Sequence, residues 1–242
     1  MGATGCERIL RGEVGTLTCL ACHDGQTAPD QRQFENSAHM AVGCEACHGP
    51  GYFHIRNGGR FGLFISKPDA QDYQFCGRCH QSEAAGFAQS GHAREKAASC
   101  LDCHDVHSAN RTRSSYLDNA LCLGCHAPRG FDTSAAIEEH TFHAVDPAGT
   151  GASRCSACHM PPLQRLDQAE GPHGHSMIPL APITSNEAAA AGVTPTPPNS
   201  CAGIAGCHDG SVITAPVFDV DNIALNEGLQ AMFEARYGAA AK

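Results

Sequence analysis

Residues 100–107 read Cys100-Leu101-Asp102-Cys103-His104-Asp105-Val106-His107, and the first five of them repeat a pattern that runs along much of the chain. Six times the sequence reads Cys-x-x-Cys-His. The chain has 242 residues and 15 Cys, so most of its cysteines belong to this pattern. The six motifs are formed by Cys19, Cys22 and His23; Cys44, Cys47 and His48; Cys76, Cys79 and His80; Cys100, Cys103 and His104; Cys122, Cys125 and His126; and Cys155, Cys158 and His159.

The spacing within this motif has a chemical explanation. Two thiols three residues apart can add to the two vinyl groups on one edge of a porphyrin, and the next residue, His, then reaches the iron. Cys-x-x-Cys-His is the attachment signature of c-type haem, and we expect six haem c groups from the six motifs. Zinc sites would use the Cys pairs two at a time, and disulfides make no demand on the following residue. Neither explains a His after every second Cys.

A seventh, irregular site follows at Cys201, Cys207 and His208, where five residues separate the thiols instead of two. Two of those five are Gly, which would let the extra backbone loop out. We expect a seventh haem bound through both thiols. The alternatives are a single thioether through Cys207, with Cys201 in a disulfide to Cys6, or no haem. Cys6 has no place in the haem scheme, and it is either a free or disulfide-bonded thiol or the site of a lipid anchor.

The other face of each iron decides function, since a strong ligand there makes an electron carrier and an open face permits substrate binding. The chain has 15 His, so the seven motif His leave eight others for seven distal positions. The surplus of one fits two His ligands on every iron. Spacing does not choose within the pairs His140/His143 and His173/His175. The candidate distal ligands are His39, His54, His92, His107, His140, His143 and His175.

The separation of His104 and His107 has a geometric consequence. His104 is held under its own haem by two thioethers, and three residues of chain cannot cross the ring edge and return to the opposite face. His107 therefore serves a different iron, and the two haems must be close neighbours. Successive motifs are also too close in sequence for a separate domain around each haem.

The composition agrees with a core made of haem. Only 42% of the residues are hydrophobic, 6% are aromatic and none is Trp, which gives a thin core for this length. We therefore predict a mainly α fold with extensive irregular loops, in which short helices wrap a stacked chain of covalent haems, with little or no β structure.

Helices are predicted over 28–40, 82–96, 134–144 and 222–237. In the last of these helices, an apolar face is formed by Ile223, Leu225, Leu229, Met232 and Phe233.

A second repeat indicates how the chain is organised. Phe34-x-x-Ser37-x-His39 precedes the second motif, and Phe87-x-x-Ser90-x-His92 precedes the fourth. Each of these two motifs is followed by another His, so residues 19–54 and 76–107 look like two copies of one dihaem module. The predicted division of one continuous haem-cored unit is an N-terminal segment over 1–18, dihaem modules over 19–60 and 61–110, and a C-terminal trihaem region with a closing helix over 111–242.

The charge and hydropathy restrict partners and location. The formal charge is −9 and there is no basic run, which argues against nucleic acid and favours a redox protein with a basic docking surface. No stretch is apolar enough for a transmembrane helix, and no signal peptide is visible at Met1. Because haem attachment of this kind is completed outside the cytoplasm, we expect a periplasmic or extracellular protein whose export signal was removed or lies upstream.

Two stretches carry a resemblance to known families. Ser37-x-His39, Cys44 to Gly51 and His54 resemble the pentahaem electron donors and outer-membrane decahaem conduits of anaerobic respiration. Cys155 to Pro161, His175 and Asn199 to His208 are similar to the C-terminal part of cytochrome c nitrite reductases and related octahaem enzymes. The second resemblance implies that His175 is a distal ligand. The nitrite reductases carry Lys in place of the motif His at the catalytic haem, and no Cys-x-x-Cys-Lys occurs here.

These observations favour an electron-transfer protein over an enzyme. The expected function is electron transport along closely packed haems with two His ligands each, in anaerobic or extracellular respiration. One alternative is the subunit of an extracellular cytochrome filament, a homopolymer in which the haem chain continues between subunits. The other is a reductase of a small nitrogen or sulfur oxyanion at one haem with a vacant iron face.

Overall fold

The fold is described by a computed structural model over residues 12–23, 34–60, 73–110, 112–115, 117–146, 151–163 and 173–238. Within these ranges the chain forms short helices joined by irregular loops, without a β-strand. Two isolated bridges, His104–Thr112 and Pro162–His173, are the extended pairings found there. The predicted fold class, mainly α with short helices and much irregular chain, is confirmed.

The chain divides into two compact units. The first unit comprises Met1–Phe75 and Ala98–Arg113, and the second comprises Cys76–Ala97 and Ser114–Lys242. The described α-helices of the first unit are Thr16–Leu20, Glu45–His48, Tyr52–Arg56 and Cys100–Cys103, with 3-10 helices at Phe34–Asn36 and Ala38–Ala41. The helix Tyr73–Cys76 ends at the boundary. Those of the second unit are Gln81–Ala88, Gly91–Arg94, Ala120–His126, Ser134–Thr141, Cys155–His159, Ile183–Ala190 and Ile223–Tyr237, with a 3-10 helix at Ala127–Arg129.

The repeated Phe-x-x-Ser-x-His sequence folds in the same way in both places. The Ser37 N–H donates to the Phe34 carbonyl and the Ser90 N–H to the Phe87 carbonyl, each at 2.9 Å. Each Ser side chain then caps the next helical turn by accepting a backbone N–H at 3.1 Å. Both Phe side chains are buried. The turn that begins at each Ser carries His39 in one copy and His92 in the other.

Those serine caps explain why two predicted helices are interrupted. The helix predicted over 82–96 is split into Gln81–Ala88 and Gly91–Arg94, because Ser90 leaves helical geometry to cap the second piece. In the same way Ser37 separates the two 3-10 helices within the prediction over 28–40, and residues 28–33 lie outside the described ranges. A hydroxyl that caps a new turn competes with the helix it interrupts.

The two later helices agree with prediction at their starts. The helix predicted over 134–144 covers Ser134–Thr141 and stops where Phe142 takes a left-handed conformation with φ 59°. The helix predicted over 222–237 covers Ile223–Tyr237, and the Asn222 side chain caps it by accepting the Leu225 N–H at 3.0 Å.

The buried face of the C-terminal helix Ile223–Tyr237 differs from the predicted one. Ile223 and Met232 are 59% and 60% exposed, whereas Asn226 and Gln230 are buried beside Leu229 and Phe233. The reason is hydrogen bonding: Asn226 Nδ2 donates to Asn186 Oδ1 and to the Val220 carbonyl, both at 2.8 Å. A fully bonded amide can occupy a buried helix position that a hydropathy pattern assigns to an apolar side chain.

Apolar side chains contribute a thin core to the described residues. The buried ones are Phe34, Phe87, Ile137, Ala181, Ala202, Ile204, Val220, Leu229 and Phe233. Helices of four to eight residues gain little stability from their own hydrogen bonds, so they need something large to pack against. Among the described helices, none has the length and hydropathy required to cross a membrane.

Candidate haem sites

Each regular motif occupies one helical turn. The backbone N–H of the motif His donates to the carbonyl of the first Cys of its motif, for example from His23 to Cys19 at 2.9 Å and from His104 to Cys100 at 2.8 Å. In a helix, residues three and four apart lie on one face. The turn therefore places both thiols and the imidazole on the same side of the backbone, as attachment to a single porphyrin requires.

The imidazoles of these motifs face a second set of imidazoles. Five close pairs are formed, each joining one motif His to one His outside the motifs. Their ring centroids are separated by 6.2 Å for His23 and His54, 6.1 Å for His48 and His107, 5.8 Å for His126 and His92, 6.0 Å for His159 and His140, and 6.0 Å for His208 and His143.

This spacing fits a metal ion between the two rings. A metal–imidazole bond is about 2.0 Å and a ring nitrogen lies about 1.1 Å from the ring centre, so two rings on opposite sides of one metal are about 6 Å apart. Rings packed directly on each other are closer, as with His208 and Phe218 at 4.1 Å. The donor set of these five pairs therefore fits a six-coordinate haem iron.

Two motif histidines remain, His104 in the first unit and His80 in the second, and the chain beside each contacts a segment that carries a non-motif His. In the first unit, Ser37 Oγ donates to the Val106 carbonyl at 2.7 Å, which brings the turn carrying His39 to the segment after His104. In the second unit, the backbone N–H of His175 lies 3.3 Å from where a Cβ on Gly86 would stand, within the helix that follows His80.

The carboxylate of Glu83 lies close to both His80 and His175 of the second unit. A hydrogen bond from Ser82, with smaller contributions from His80 and His175, lowers the pKa of Glu83. Both imidazoles are thus near the same side chain. His173, the remaining His, is exposed, and its Nδ1 is 2.9 Å from the Met160 carbonyl.

In two of the pairs, Nδ1 of the motif His lies within hydrogen-bond distance of a backbone carbonyl oxygen. Nδ1 of His159 is 2.9 Å from the Met177 carbonyl, and Nδ1 of His208 is 2.8 Å from the Pro216 carbonyl. A metal-ligating imidazole commonly donates its second N–H to such an acceptor, which fixes the tautomer and leaves Nε2 for the metal. His54 is different, because its buried Nδ1 has no hydrogen-bond partner among the residues that the structure describes.

The seventh site is a loop held by buried amides. Oδ1 of Asn199 accepts the N–H groups of Cys201 and Ala202, both at 2.9 Å, and Asn199 Nδ2 donates to Ser185 Oγ at 2.9 Å. Asn199 and Ser185 are fully buried. Gly203 has φ +82°, and a Cβ there would stand 3.1 Å from Pro198. A loop fixed in this way replaces the helical turn of the regular motifs and still leads to an imidazole that faces His143.

Thiols of successive motifs affect one another's pKa at three places. The neighbouring Cys155 thiol raises the pKa of Cys122, and the Cys122 thiol lowers that of Cys155. Burial and the nearby Cys44 thiol raise the pKa of Cys19 to about 11. Burial, with Cys201 and Cys207 close by, likewise raises the pKa of Cys158 to about 11. These sulfurs are the atoms that would carry the thioether bonds.

The imidazole of His140 is held between aromatic rings. Phe131 packs edge-on against it at 5.0 Å between centroids, and Tyr237 at 5.4 Å. The Tyr237 hydroxyl also donates to the His140 carbonyl at 2.9 Å. Burial, with smaller contributions from His159 and Arg236, lowers the pKa of His140, which favours the neutral imidazole that a metal binds.

The structure brings together most of the residues that the sequence singled out. His107 lies 6.1 Å from His48 between ring centroids, and its assignment to an iron other than that of His104 stays a prediction. His140 and His143 both face motif histidines, although spacing left open which of the two was surplus. Cys6 lies outside the described residues. Within the described ranges no three His, Cys, Asp or Glu side chains gather around one point.

Sequence reasoning did not find the side chains that hold the ligands. Asn199, Phe131 and Tyr237 carry no motif, and their roles depend on contacts between distant parts of the chain. The nearest signal was the Asn199-Ser200-Cys201 run of the nitrite reductase resemblance, which placed Asn199 beside the seventh site without assigning it a function.

Repeated Cys-x-x-Cys-His turns, short helices with a thin apolar core and opposed imidazole pairs define one class of protein. The chain is a multihaem c-type cytochrome by these features and by two comparisons with known proteins. Residues 25–126 match the sequence family described as the class III cytochrome c family. The multihaem cytochrome MtrA of Shewanella baltica (strain OS185) is 25% identical over 162 residues, which cover 61% of this chain and 46% of MtrA. The chain thus spans less than half of that relative. No solved structure matches the chain significantly.

Proposed function

We propose that the chain binds seven haem c groups, each with its iron between two imidazoles, and conducts electrons along them. The observation that supports this most strongly is the set of five His pairs 5.8–6.2 Å apart, each joining one motif His to one non-motif His. Haem iron supplies the chemistry by gaining and losing one electron. The thiols of the seven motifs would hold the porphyrins, and the imidazoles would hold the iron.

The irons bound by the two remaining motif histidines, His80 and His104, also need a distal ligand in this proposal. We propose His39 as the distal partner of His104 and His175 as that of His80, because in each case the segments that carry the two residues contact each other within one unit. The first unit then contains three motif His and three partners. The second contains four motif His and five others, which leaves His173 as the surplus residue.

Two strong ligands on each iron favour an electron carrier over an enzyme. With imidazole on both faces no position is open for a substrate, and His in place of Met keeps the reduction potential low. The thiols of motifs one and two, and those of motifs five, six and seven, are near enough to affect one another's pKa, so haems attached there would be neighbours. Short gaps between porphyrin edges are what electron hopping needs.

Location and partner follow from chemistry and charge. Thioether formation at Cys-x-x-Cys-His takes place outside the cytoplasm, so we place the protein in the periplasm or at the cell surface, within a respiratory electron path. The chain is acidic, with a formal charge of −9, and propionates add negative charge. A redox protein with a basic face is the partner that this charge favours.

The test of this proposal is the intact mass of the purified, mature protein. We expect the polypeptide plus seven haems. In the double variant C201S/C207S the mass should fall by one haem and the other six should remain. A wild-type mass with six haems would remove the seventh site from the proposal, and a colourless protein with the bare polypeptide mass would overturn it.

One observation favours a second function, the filament subunit. His173 is exposed and is not paired with a motif His of its own unit in this assignment. An imidazole in that position could ligate a haem of another copy in place of one of that copy's own distal imidazoles. Electron microscopy of the purified protein would show filaments in that case, and the variant H173A would not form them.

A further inference from the structure

At three places among the described residues, a polar side chain beside one motif hydrogen-bonds the backbone at or just before a neighbouring motif. These places lie between motifs one and two, five and six, and six and seven. The polar residues are Glu45, Asn119 and Ser200. Each is within three residues of a motif Cys in the sequence, and none of them is a candidate ligand.

Asn119 joins motifs five and six. It is 5% exposed and stands in the left-handed conformation, φ 65°, at the start of the helix Ala120–His126. Its Nδ2 donates to the Ser153 carbonyl at 3.1 Å, and its Oδ1 accepts the Cys155 N–H at 2.8 Å. That N–H is at the first turn of the helix Cys155–His159, where helices have no internal acceptor. One side chain thus fixes the start of the sixth motif against the start of the fifth.

Glu45 joins motifs one and two. Its carboxylate accepts three backbone N–H groups at 2.8 Å, from Val14, Gly15 and Gly51. Gly15 immediately precedes the helix Thr16–Leu20, which carries Cys19. The carboxylate therefore binds the backbone just before the helix of the first motif, while Glu45 itself follows Cys44, the first thiol of the second motif.

Ser200 joins motifs six and seven. Its Oγ donates to the Cys158 carbonyl at 3.1 Å and accepts the Leu180 N–H at 2.8 Å. The next residue is Cys201, the first thiol of the seventh site. Here too the polar side chain connects the backbone of one motif to the first thiol of the next.

We propose that Glu45, Asn119 and Ser200 are positioning residues that set the separation of successive haems, and through it the electronic coupling along the chain. The proposal rests on the haem assignment made above. A thioether fixes the edge of a porphyrin to its sulfur, so side chains that fix two sulfurs also fix two porphyrin edges. Ligand pairs alone cannot do this, because each holds a single iron.

The test uses Asn119 in the full holoprotein, with Soret circular dichroism as readout. Neighbouring haems couple and give a two-signed Soret signal whose amplitude depends on their distance and orientation. N119G keeps the left-handed backbone accessible and removes both side-chain hydrogen bonds. We expect it to retain all haems by mass and a low-spin spectrum, and to lose part of the two-signed amplitude. N57G is the matched control, because Asn57 is exposed and bonds only within its own turn.

The outcomes separate this proposal from the haem assignment. An unchanged Soret couplet in N119G, with all haems present, overturns the positioning role and leaves the haem assignment intact. Absence of any Soret band in the wild type would instead overturn the assignment. If N119G does not accumulate, N119D replaces it, since Asp keeps the acceptor for Cys155 and loses the donor to Ser153. An intermediate loss of amplitude in N119D supports the proposal, and wild-type amplitude overturns it.

Discussion

His143 and His173 are the same type of residue, but only His143 is proposed as a distal haem ligand. Both are non-motif histidines of the second unit, and both have Nδ1 close to a backbone carbonyl. Only His143 faces a motif imidazole, that of His208, at 6.0 Å. Position relative to the motif His, rather than the chemistry of the imidazole, separates the proposed ligand from the surplus residue.

Alanine variants of His143 and His173 give a matched test of this ligand assignment. H143A should leave the seventh iron with a vacant face, and the reduced protein should then bind carbon monoxide at one haem. H173A should behave as the wild type and bind none. Carbon monoxide difference spectra of the two variants provide the measurement. Binding by H173A and not by H143A would reverse the assignment.

Cys201 offers a second prediction for a single residue. If both thiols of the seventh site bind one haem, C201A should keep that haem through Cys207 alone. The haem count by mass then stays the same, and the α band of the pyridine haemochrome moves to longer wavelength because one vinyl group stays unreacted. An unshifted band in C201A would show that Cys201 forms no thioether.

At the scale of elements, the C-terminal helix Ile223–Tyr237 acts on a ligand far away in sequence. Its last residue packs against the His140 imidazole and bonds the His140 carbonyl, and Arg236 bonds the Glu139 carbonyl at 2.8 Å. Gln230 of the same helix accepts the Ile183 N–H at 3.1 Å. This helix would therefore close the proposed sixth haem site from outside the motif.

Removing the ring that packs on His140 should loosen that ligand. Y237A loses about 2 kcal/mol of packing, and we expect part of the sixth haem to become high-spin in the magnetic circular dichroism spectrum. Y237F keeps the ring, loses one hydrogen bond worth about 1 kcal/mol, and should remain low-spin. Equal spectra for Y237A and the wild type would show that the helix does not hold His140.

Some features of these structural elements could be predicted from the sequence, and others could not. The motif turns, the Ser-capped turns that carry His39 and His92, and the start of the last helix could be predicted, because each depends on neighbouring residues. The interruptions at Ser37 and Ser90 and the burial of Asn226 could not, since capping and amide networks involve partners that periodicity does not reveal. The positions of Asn119 and Tyr237 depend on long-range contacts in the same way.

At the scale of the whole molecule, stability is predicted to depend on haem. Buried apolar side chains are few in the described residues, and most helices there have four to eight residues. Such helices are marginal on their own. Haem would supply the large apolar surface that the polypeptide lacks, and covalent attachment would tie distant segments together.

The corresponding prediction concerns the chain without haem. A variant with Ser in place of all motif Cys should show the far-ultraviolet circular dichroism of an unfolded chain at the temperature where the holoprotein is helical. The control is holoprotein at equal concentration. A helical spectrum and cooperative thermal unfolding without haem would mean that side chains alone form a sufficient core.

The central claim is that every iron lies between two imidazoles. Electron paramagnetic resonance of the fully oxidised wild-type protein, with spins counted against the haem content, tests it most directly. The account predicts that low-spin ferric signals account for all haems. A high-spin ferric signal that integrates to one haem or more would contradict it and would identify an iron with a vacant face.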